Sequence, residues 1–167
     1  EPFVPRYLRL EVSERMDYLG NEHEPLNEDD VRACLETFRK EGVEAIAVVY
    51  LHAYVNPAHE IRTKELIHQL WPEVMVTASH EVSKEWREYE RESTAVLNSY
   101  VMPTAKAYVD RLYQELEKTG ITCPKYIMQS NGGTTTFEKA KETPINMVES
   151  GPVAVSYTHL TLPKKLE

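Results

Sequence analysis

Two short segments could do chemistry through their backbone. Asn131-Gly132-Gly133 follows an apolar run, Tyr126 to Met128, and its glycines could bring N–H groups close to a phosphate. A simple turn accounts for the same residues. Glu149-Ser150-Gly151-Pro152 also follows an apolar run, Ile145 to Val148, and could lead into a helix N-terminus that favours an anion. Neither is a P-loop, because no Gly-Lys-Ser/Thr follows.

Side chains offer less. His52, His59 and His80 could join carboxylates around a metal, but their spacing fits no ligand motif. His59-Glu60 lacks a second His four residues on, position 63 being Thr. No metal site is assigned. The run Glu85, Arg87, Glu88, Glu90, Arg91 and Glu92 reads as a solvated helix face. Ser79, Ser93 and Thr94 carry hydroxyls but have no G-x-S-x-G elbow or base partner, so catalytic residues stay unassigned. Cys34 and Cys123 form no C-x-x-C motif. Cys34 falls on an apolar helix stripe, which indicates a buried, reduced thiol and a reducing compartment.

The elements that must hold these residues alternate between helix and short strand. Tyr7, Leu8, Leu10, Val12 and Met16 give a strand over Arg6 to Met16, and Leu19 to Leu26 reads as a loop. Asn27 is a helix N-cap followed by Glu28, Asp29 and Asp30; Val31, Cys34, Leu35 and Phe38 form one stripe, and Gly42 ends the helix. Ala45 to Leu51 is apolar throughout, as in a parallel strand covered on both faces. Pro57 opens a second helix to about Trp71, stopped by Pro72, and a strand spans Val74 to Ala78. A long helix from Trp86 to Thr119 should kink or divide at Pro103. Then come the strand Tyr126 to Met128, a helix from Thr136 to Lys141, and a strand from Ile145 to Val148. The class is α/β, with no repeat, low-complexity segment or interdomain linker.

Composition narrows the function. The 167 residues suffice for a domain with a core, and 41% hydrophobic with 28% charged residues is ordinary for a globular protein. A net charge of -8 argues against nucleic acid as a partner. No apolar run approaches the roughly 20 residues of a membrane span. Glu1-Pro2-Phe3-Val4-Pro5-Arg6 has neither a signal-peptide pattern nor an initiating Met, so the chain is expected to begin inside a longer protein.

Read together, the residues resemble the hydantoinase A/5-oxoprolinase family. Arg9-Leu10-Glu11-Val12 with Glu14-Arg15-Met16-Asp17 resembles its "R-x-E-V-x-E-R" segment, and Ala45 to Leu51 with Asn56-Pro57-Ala58-His59-Glu60 its "A-I-A-V…N-P-x-H-E". Ser79-His80-Glu81-Val82, Arg87-Glu88-Tyr89-Glu90-Arg91, Thr94 to Asn98, Met128 to Gly133 and Glu149 to Pro152 follow in the family's order. The resemblance covers Arg6 to Ala154. It implies part of an actin/Hsp70/sugar-kinase-like ATPase fold, a mixed sheet with flanking helices. It also implies ATP and Mg2+ as cofactors, a small-molecule substrate, a hydantoinase B-like partner subunit or domain, and a cytoplasmic location. The implied activity is ATP-dependent hydrolysis of a cyclic amide, of N-methylhydantoinase or 5-oxoprolinase type, or else the carboxylation of acetone or acetophenone.

By the same resemblance, Glu149, Ser150, Gly151 and Pro152 begin a helix near the nucleotide cleft, and Asn131, Gly132 and Gly133 border it. The family's D-x-G-G-T phosphate loops would lie before Glu1 and beyond Ala154, which makes this segment inactive alone. Val155 to Pro163 resembles a translated sequencing adapter of the kind found in metagenomic genes. The boundary is therefore drawn at residues 1–154 and 155–167, and His159 and Lys164 receive no role. A reading of another class is a free-standing, non-catalytic binding or assembly module, which would unfold cooperatively on its own.

Overall fold

Helix α1 (Glu28–Lys40) starts where the sequence places it. The Asn27 side-chain oxygen accepts the backbone N–H groups of Asp29 and Asp30 at 3.0 and 3.4 Å, which satisfies donors that a first helical turn leaves unpaired. Val31 and Leu35 bury one face, and Gly42, at φ 68°, turns the chain out of the helix. This computed structural model describes residues 3–121 and 123–161, with side chains through residue 156.

Strands β1 (Arg15–Met16) and β2 (Glu22–Glu24) form an antiparallel pair before α1. Strands β3 (Ala45–Val48) and β4 (Met75–Ala78) then pair in parallel, Ala45 opposite Met75 and Val48 opposite Ala78. Parallel strands need a crossover, and helix α2 (Ala58–Leu70) supplies it. Val31, Leu35, Ile46, Val48, Leu66, Ile67, Val74 and Val76 make the core between these elements. A short helix, α3 (Ser79–Val82), continues directly from β4, and the long α4 (Glu88–Lys118) follows.

The chain forms two compact units, Glu1–Pro103 and Thr104–Glu167. In the second, β5 (Tyr126–Met128) and β6 (Thr134–Thr136) make an antiparallel hairpin. Helix α5 (Phe137–Glu142) is capped by the Thr136 hydroxyl, which accepts the Lys139 N–H at 3.2 Å. Phe137 is buried edge-on against Tyr113, with ring centroids 5.2 Å apart. Helix α6 (Ser150–Thr161) closes the described chain and runs through Val155; Leu162 to Glu167, Lys164 among them, and the His159 side chain lie outside what is described.

Several expectations are corrected. Among the described residues the strands form three two-stranded pairings, antiparallel and parallel, of which only β3–β4 is parallel. The strand over Arg6 to Met16 shrinks to Arg15–Met16. Arg6–Leu8 is a 3-10 turn, and Tyr7 and Leu10 are exposed, so their alternation faces no core. The loop after Leu19 contains β2. Ile145 to Val148 is not a strand: Pro144 fixes φ and has no N–H for a ladder, and Pro144–Met147 winds as a 3-10 helix. Pro57 sits just before α2 rather than inside it. Helix α4 is not divided at Pro103. The missing N–H is tolerated because Ala95, Asn98, Ser99 and Met102 anchor the turns before it in buried positions.

Candidate functional site

The carboxyl ends of β3 and β4 gather a cluster of polar side chains. In open α/β sheets this end of parallel strands is where ligands bind. Tyr50 lies just past β3, Ser79 and His80 just past β4, Glu60 in the first turn of α2 and Arg91 in the first turn of α4. Glu60, Ser79 and Arg91 are fully buried.

Glu60 is the hub. One carboxylate oxygen accepts the Tyr50 backbone N–H at 3.0 Å and the Ser79 hydroxyl at 2.6 Å. The other accepts the His80 backbone N–H at 3.0 Å and faces His80 Nδ1 at 2.7 Å. Arg91 closes the cluster by donating to Ser79 Oγ at 3.1 Å, to the Glu85 carbonyl at 2.8 Å and to the Tyr50 carbonyl at 2.9 Å. Its guanidinium lies 5.6 Å over the Tyr54 ring, within cation–π range. The Tyr50 hydroxyl shares a 3.0 Å hydrogen bond with Thr63, and burial raises its pKa above the usual tyrosine range. In the loop after β3, His52 adopts φ 58°, a strained conformation for a non-glycine residue.

His59 forms a separate cluster. Its Nδ1 faces Glu14 at 2.8 Å and its Nε2 faces Glu22 at 2.9 Å, tying α2 to the β1–β2 segment. Burial opposes charge on the ring, but hydrogen bonds to both carboxylates outweigh it and raise the pKa above the ordinary histidine value.

Sequence reasoning missed the first cluster. The run containing Arg91 was expected to be a solvated face; Arg91 instead shares a buried stripe with Ala95, Asn98, Ser99 and Met102. The available signal was periodicity. His59, Glu60 and Thr63 fall on the same stripe of α2 as Leu66 and Ile67, so polar residues occupy core positions. His59 and His80 do meet carboxylates, but in different clusters. Cys34 is half-buried rather than sealed; burial and then the nearby Asp30 charge raise its pKa.

The two loops singled out by sequence lie together in the second unit. Ser130 Oγ donates to the Asn146 carbonyl at 2.8 Å and also reaches the Val148 carbonyl. A Cβ on Gly132 would stand 3.8 Å from Val153 of α6. Asn131-Gly132-Gly133 is the hairpin turn between β5 and β6, with Gly132 at φ 85°. The Gly132 N–H donates to the Gln129 carbonyl at 3.0 Å and the Gly133 N–H to Asn131 Oδ1 at 2.8 Å. Those two amides are hydrogen-bonded within the turn. Glu149 takes φ 61° just before α6, and a Cβ on Gly151 would meet nothing within 4 Å.

Sequence models of one family cover most of the chain. The hydantoinase/oxoprolinase N-terminal region matches residues 1–71, and the hydantoinase/oxoprolinase domain matches residues 91–162. The chain belongs to the hydantoinase/oxoprolinase family. An uncharacterized protein of Methanocaldococcus jannaschii is 38% identical over 154 residues, 92% of this chain and 23% of that protein. The caprolactamase alpha subunit of Pseudomonas jessenii is 35% identical over 151 residues, 90% of this chain and 22% of the subunit.

Solved structures give the same family. The crystal structure of the ATP-dependent caprolactamase from Pseudomonas jessenii superposes with a TM-score of 0.85 at 34% identity, over 94% of this chain and 23% of that one. A nucleotide-free acetone carboxylase, described as ATP-dependent, gives a TM-score of 0.82 at 28% identity, over 96% of this chain and 23% of that one. This hydantoinase/oxoprolinase segment thus spans less than a quarter of the length of these relatives.

No helix among the described residues is long and apolar enough to cross a membrane. Nor do they contain a group of three or more His, Cys, Asp or Glu side chains that could hold a metal ion. The magnesium that the resemblance implies finds no such ligand set among the described residues.

Proposed function

We propose that this chain is a segment of an ATP-dependent enzyme that hydrolyses a cyclic amide, of N-methylhydantoinase or 5-oxoprolinase type. The observation that carries the reading is the likeness to an ATP-dependent caprolactamase, at a TM-score of 0.85 over 94% of the chain. A lactam, a hydantoin and 5-oxoproline all present a ring amide whose resonance resists attack by water. Coupling to ATP is the chemical answer to that shared difficulty.

In this reading the larger parent protein binds ATP and magnesium, acts in the cytoplasm and works with a hydantoinase B-like subunit or domain. The subunit names of the relatives, such as the caprolactamase alpha subunit, favour assembly with a partner. Asn131, Gly132 and Gly133, with Glu149, Ser150, Gly151 and Pro152, border the nucleotide. Their contribution is steric: a tight turn beside a helix start with open space at Gly151 lets a ligand approach the backbone. Residues 1–154 carry this role, and the segment alone is inactive.

A second reading, a ketone carboxylase subunit, is favoured by the likeness to acetone carboxylase at a TM-score of 0.82. ADP release by the complete parent enzyme separates the two. Caprolactam, hydantoins or 5-oxoproline should stimulate it, and ketones with bicarbonate should not. The reverse pattern would transfer the assignment to the carboxylase, and stimulation by neither group would remove both.

A further inference from the structure

We propose that His59 is a pH-sensitive latch on strand β2: as an imidazolium it clasps Glu22, and on losing its proton it keeps Glu14 and lets β2 go. The inference does not depend on the cyclic-amide reading. Nδ1 lies 2.8 Å from Glu14 and Nε2 lies 2.9 Å from Glu22. Carboxylates only accept hydrogen bonds, so both ring nitrogens must carry hydrogen, and only the charged ring has two N–H groups. His23, on β2 itself, makes the contrast. It faces one carboxylate, Asp17, at 3.1 Å, and a neutral ring can serve one acceptor.

Burial and anchorage decide which partner leaves. The Glu14 side chain is 7% exposed and that of Glu22 is 53% exposed. A Glu14 carboxylate without its donor would have little water to replace it, whereas Glu22 can turn into solvent. The chain beside Glu14 is also tied to α1 and its cap. The Ser13 N–H donates to Asp30 at 2.9 Å, and the Ser13 carbonyl accepts the Asn27 N–H at 2.9 Å. Neutral His59 therefore keeps its Nδ1–H on Glu14, and the Nε2 lone pair repels Glu22. Little else holds β2: all three of its residues are exposed, and it meets β1 in two residue pairs separated by a register shift.

The other groups around the ring have their own partners. Tyr50, in the loop after β3, bonds Thr63, and burial keeps its hydroxyl protonated. Glu60, next along α2, is taken up by Ser79 and His80. From α1, Asp30 holds Ser13, Glu28 pairs with Arg62, and the Cys34 thiol, its pKa raised by burial, faces the Glu11 carbonyl. On the hairpin, exposed Arg15 stands opposite exposed Glu24. Burial works against charge on His59, but hydrogen bonds to Glu14 and Glu22 raise its pKa. The latch is thus closed below that raised value and opens as pH rises through it. The turn joining β1 to β2 rests on the loop after β3, where the Gly20 carbonyl accepts Asn56 Nδ2 at 2.9 Å. The latch therefore bears on the loop that supplies Tyr50 to the Glu60 cluster.

The test is peptide-resolved hydrogen exchange of the complete parent protein at rising pH, each rate divided by the intrinsic rate at that pH. Protection of residues 22–24 should fall by about three- to tenfold, between what an exposed ion pair and a buried charge-assisted hydrogen bond supply, while residues 12–14 keep theirs. In Glu22→Gln the side-chain amide can donate or accept, so it serves either form of the ring and the fall should vanish. His23→Gln should show the wild-type fall. Protection of residues 22–24 that does not change with pH overturns the proposal, as does loosening at residues 12–14. A fall that persists in Glu22→Gln or disappears in His23→Gln overturns it too. If a variant does not fold, the wild-type profile over the two segments decides alone.

Discussion

Replacing Glu60 by Gln tests the buried cluster at its hub. The substitution keeps the shape, removes the charge and turns one acceptor oxygen into an NH2 group. Each carboxylate oxygen accepts one backbone N–H, from Tyr50 or from His80, so either placement of the amide leaves a buried backbone donor unpaired. That orphan costs about 1–3 kcal/mol, and the remaining hydrogen bonds fall from charge-assisted to neutral strength. Relief from burying the carboxylate charge offsets part of this. The net loss should be about 2 kcal/mol, within what leaving one buried donor unpaired costs.

Urea unfolding read by tryptophan emission measures the loss, because Trp71 and Trp86 both lie in the Glu1–Pro103 unit. With a slope of about 2 kcal/mol per molar urea, the midpoint should drop by about 1 M at unchanged slope. A loss below about 1 kcal/mol would refute the description of Glu60 as a buried, four-fold acceptor.

Other consequences can be checked separately. His59 has a raised folded-state pKa, so its stabilisation is fully present below the unfolded value of about 6.5 and disappears as pH rises through the folded value. Wild-type melting temperature should therefore decline on moving from acidic to alkaline buffer, and His59→Gln should flatten that decline. Asn27→Ala removes the acceptor that caps α1 and should lower unfolding free energy by about 1 kcal/mol in urea titration. Gly132→Ala forces a Cβ onto φ 85° and should cost about 1–2 kcal/mol, seen as faster amide hydrogen exchange across residues 126–136. Because the added Cβ would stand 3.8 Å from Val153, backbone strain rather than collision sets that figure.

The parts of the fold that were legible in the sequence have local causes. Asn27, the Val31-to-Phe38 stripe and Gly42 specify α1 through capping, periodicity and a positive-φ stop, all within the helix itself. The same holds for the parallel β3 and β4, whose apolar runs flank a helix of the right length. Pairings that depend on distant partners were not legible. Glu22–Glu24 is fully polar, yet it forms a strand because the chain turns back onto Arg15–Met16. The apolar run Ile145 to Val148 lost to the geometry of Pro144.

The candidate site divides in the same way. Asn131 to Gly133 and Glu149 to Pro152 were visible as loops, and contacts through Ser130, Asn146 and Val148 bring them side by side. The Glu60 cluster was hidden because its members come from three helices and the loop after β3, spread between positions 50 and 91. Charged residues on an otherwise apolar stripe look like interruptions until their partners are placed. Arg91 is the clearest case: one residue of a highly charged run has no exposed surface at all.

The account's central claim is hydrolysis of a cyclic amide, and an isotope experiment on the complete parent enzyme tests it most directly. With ATP and caprolactam, hydantoin or 5-oxoproline in 18O-labelled water, the new carboxylate of the ring-opened product should carry 18O, formed in step with ADP. Incorporation of 13C from labelled bicarbonate into a ketone, with no ring opening, would contradict it.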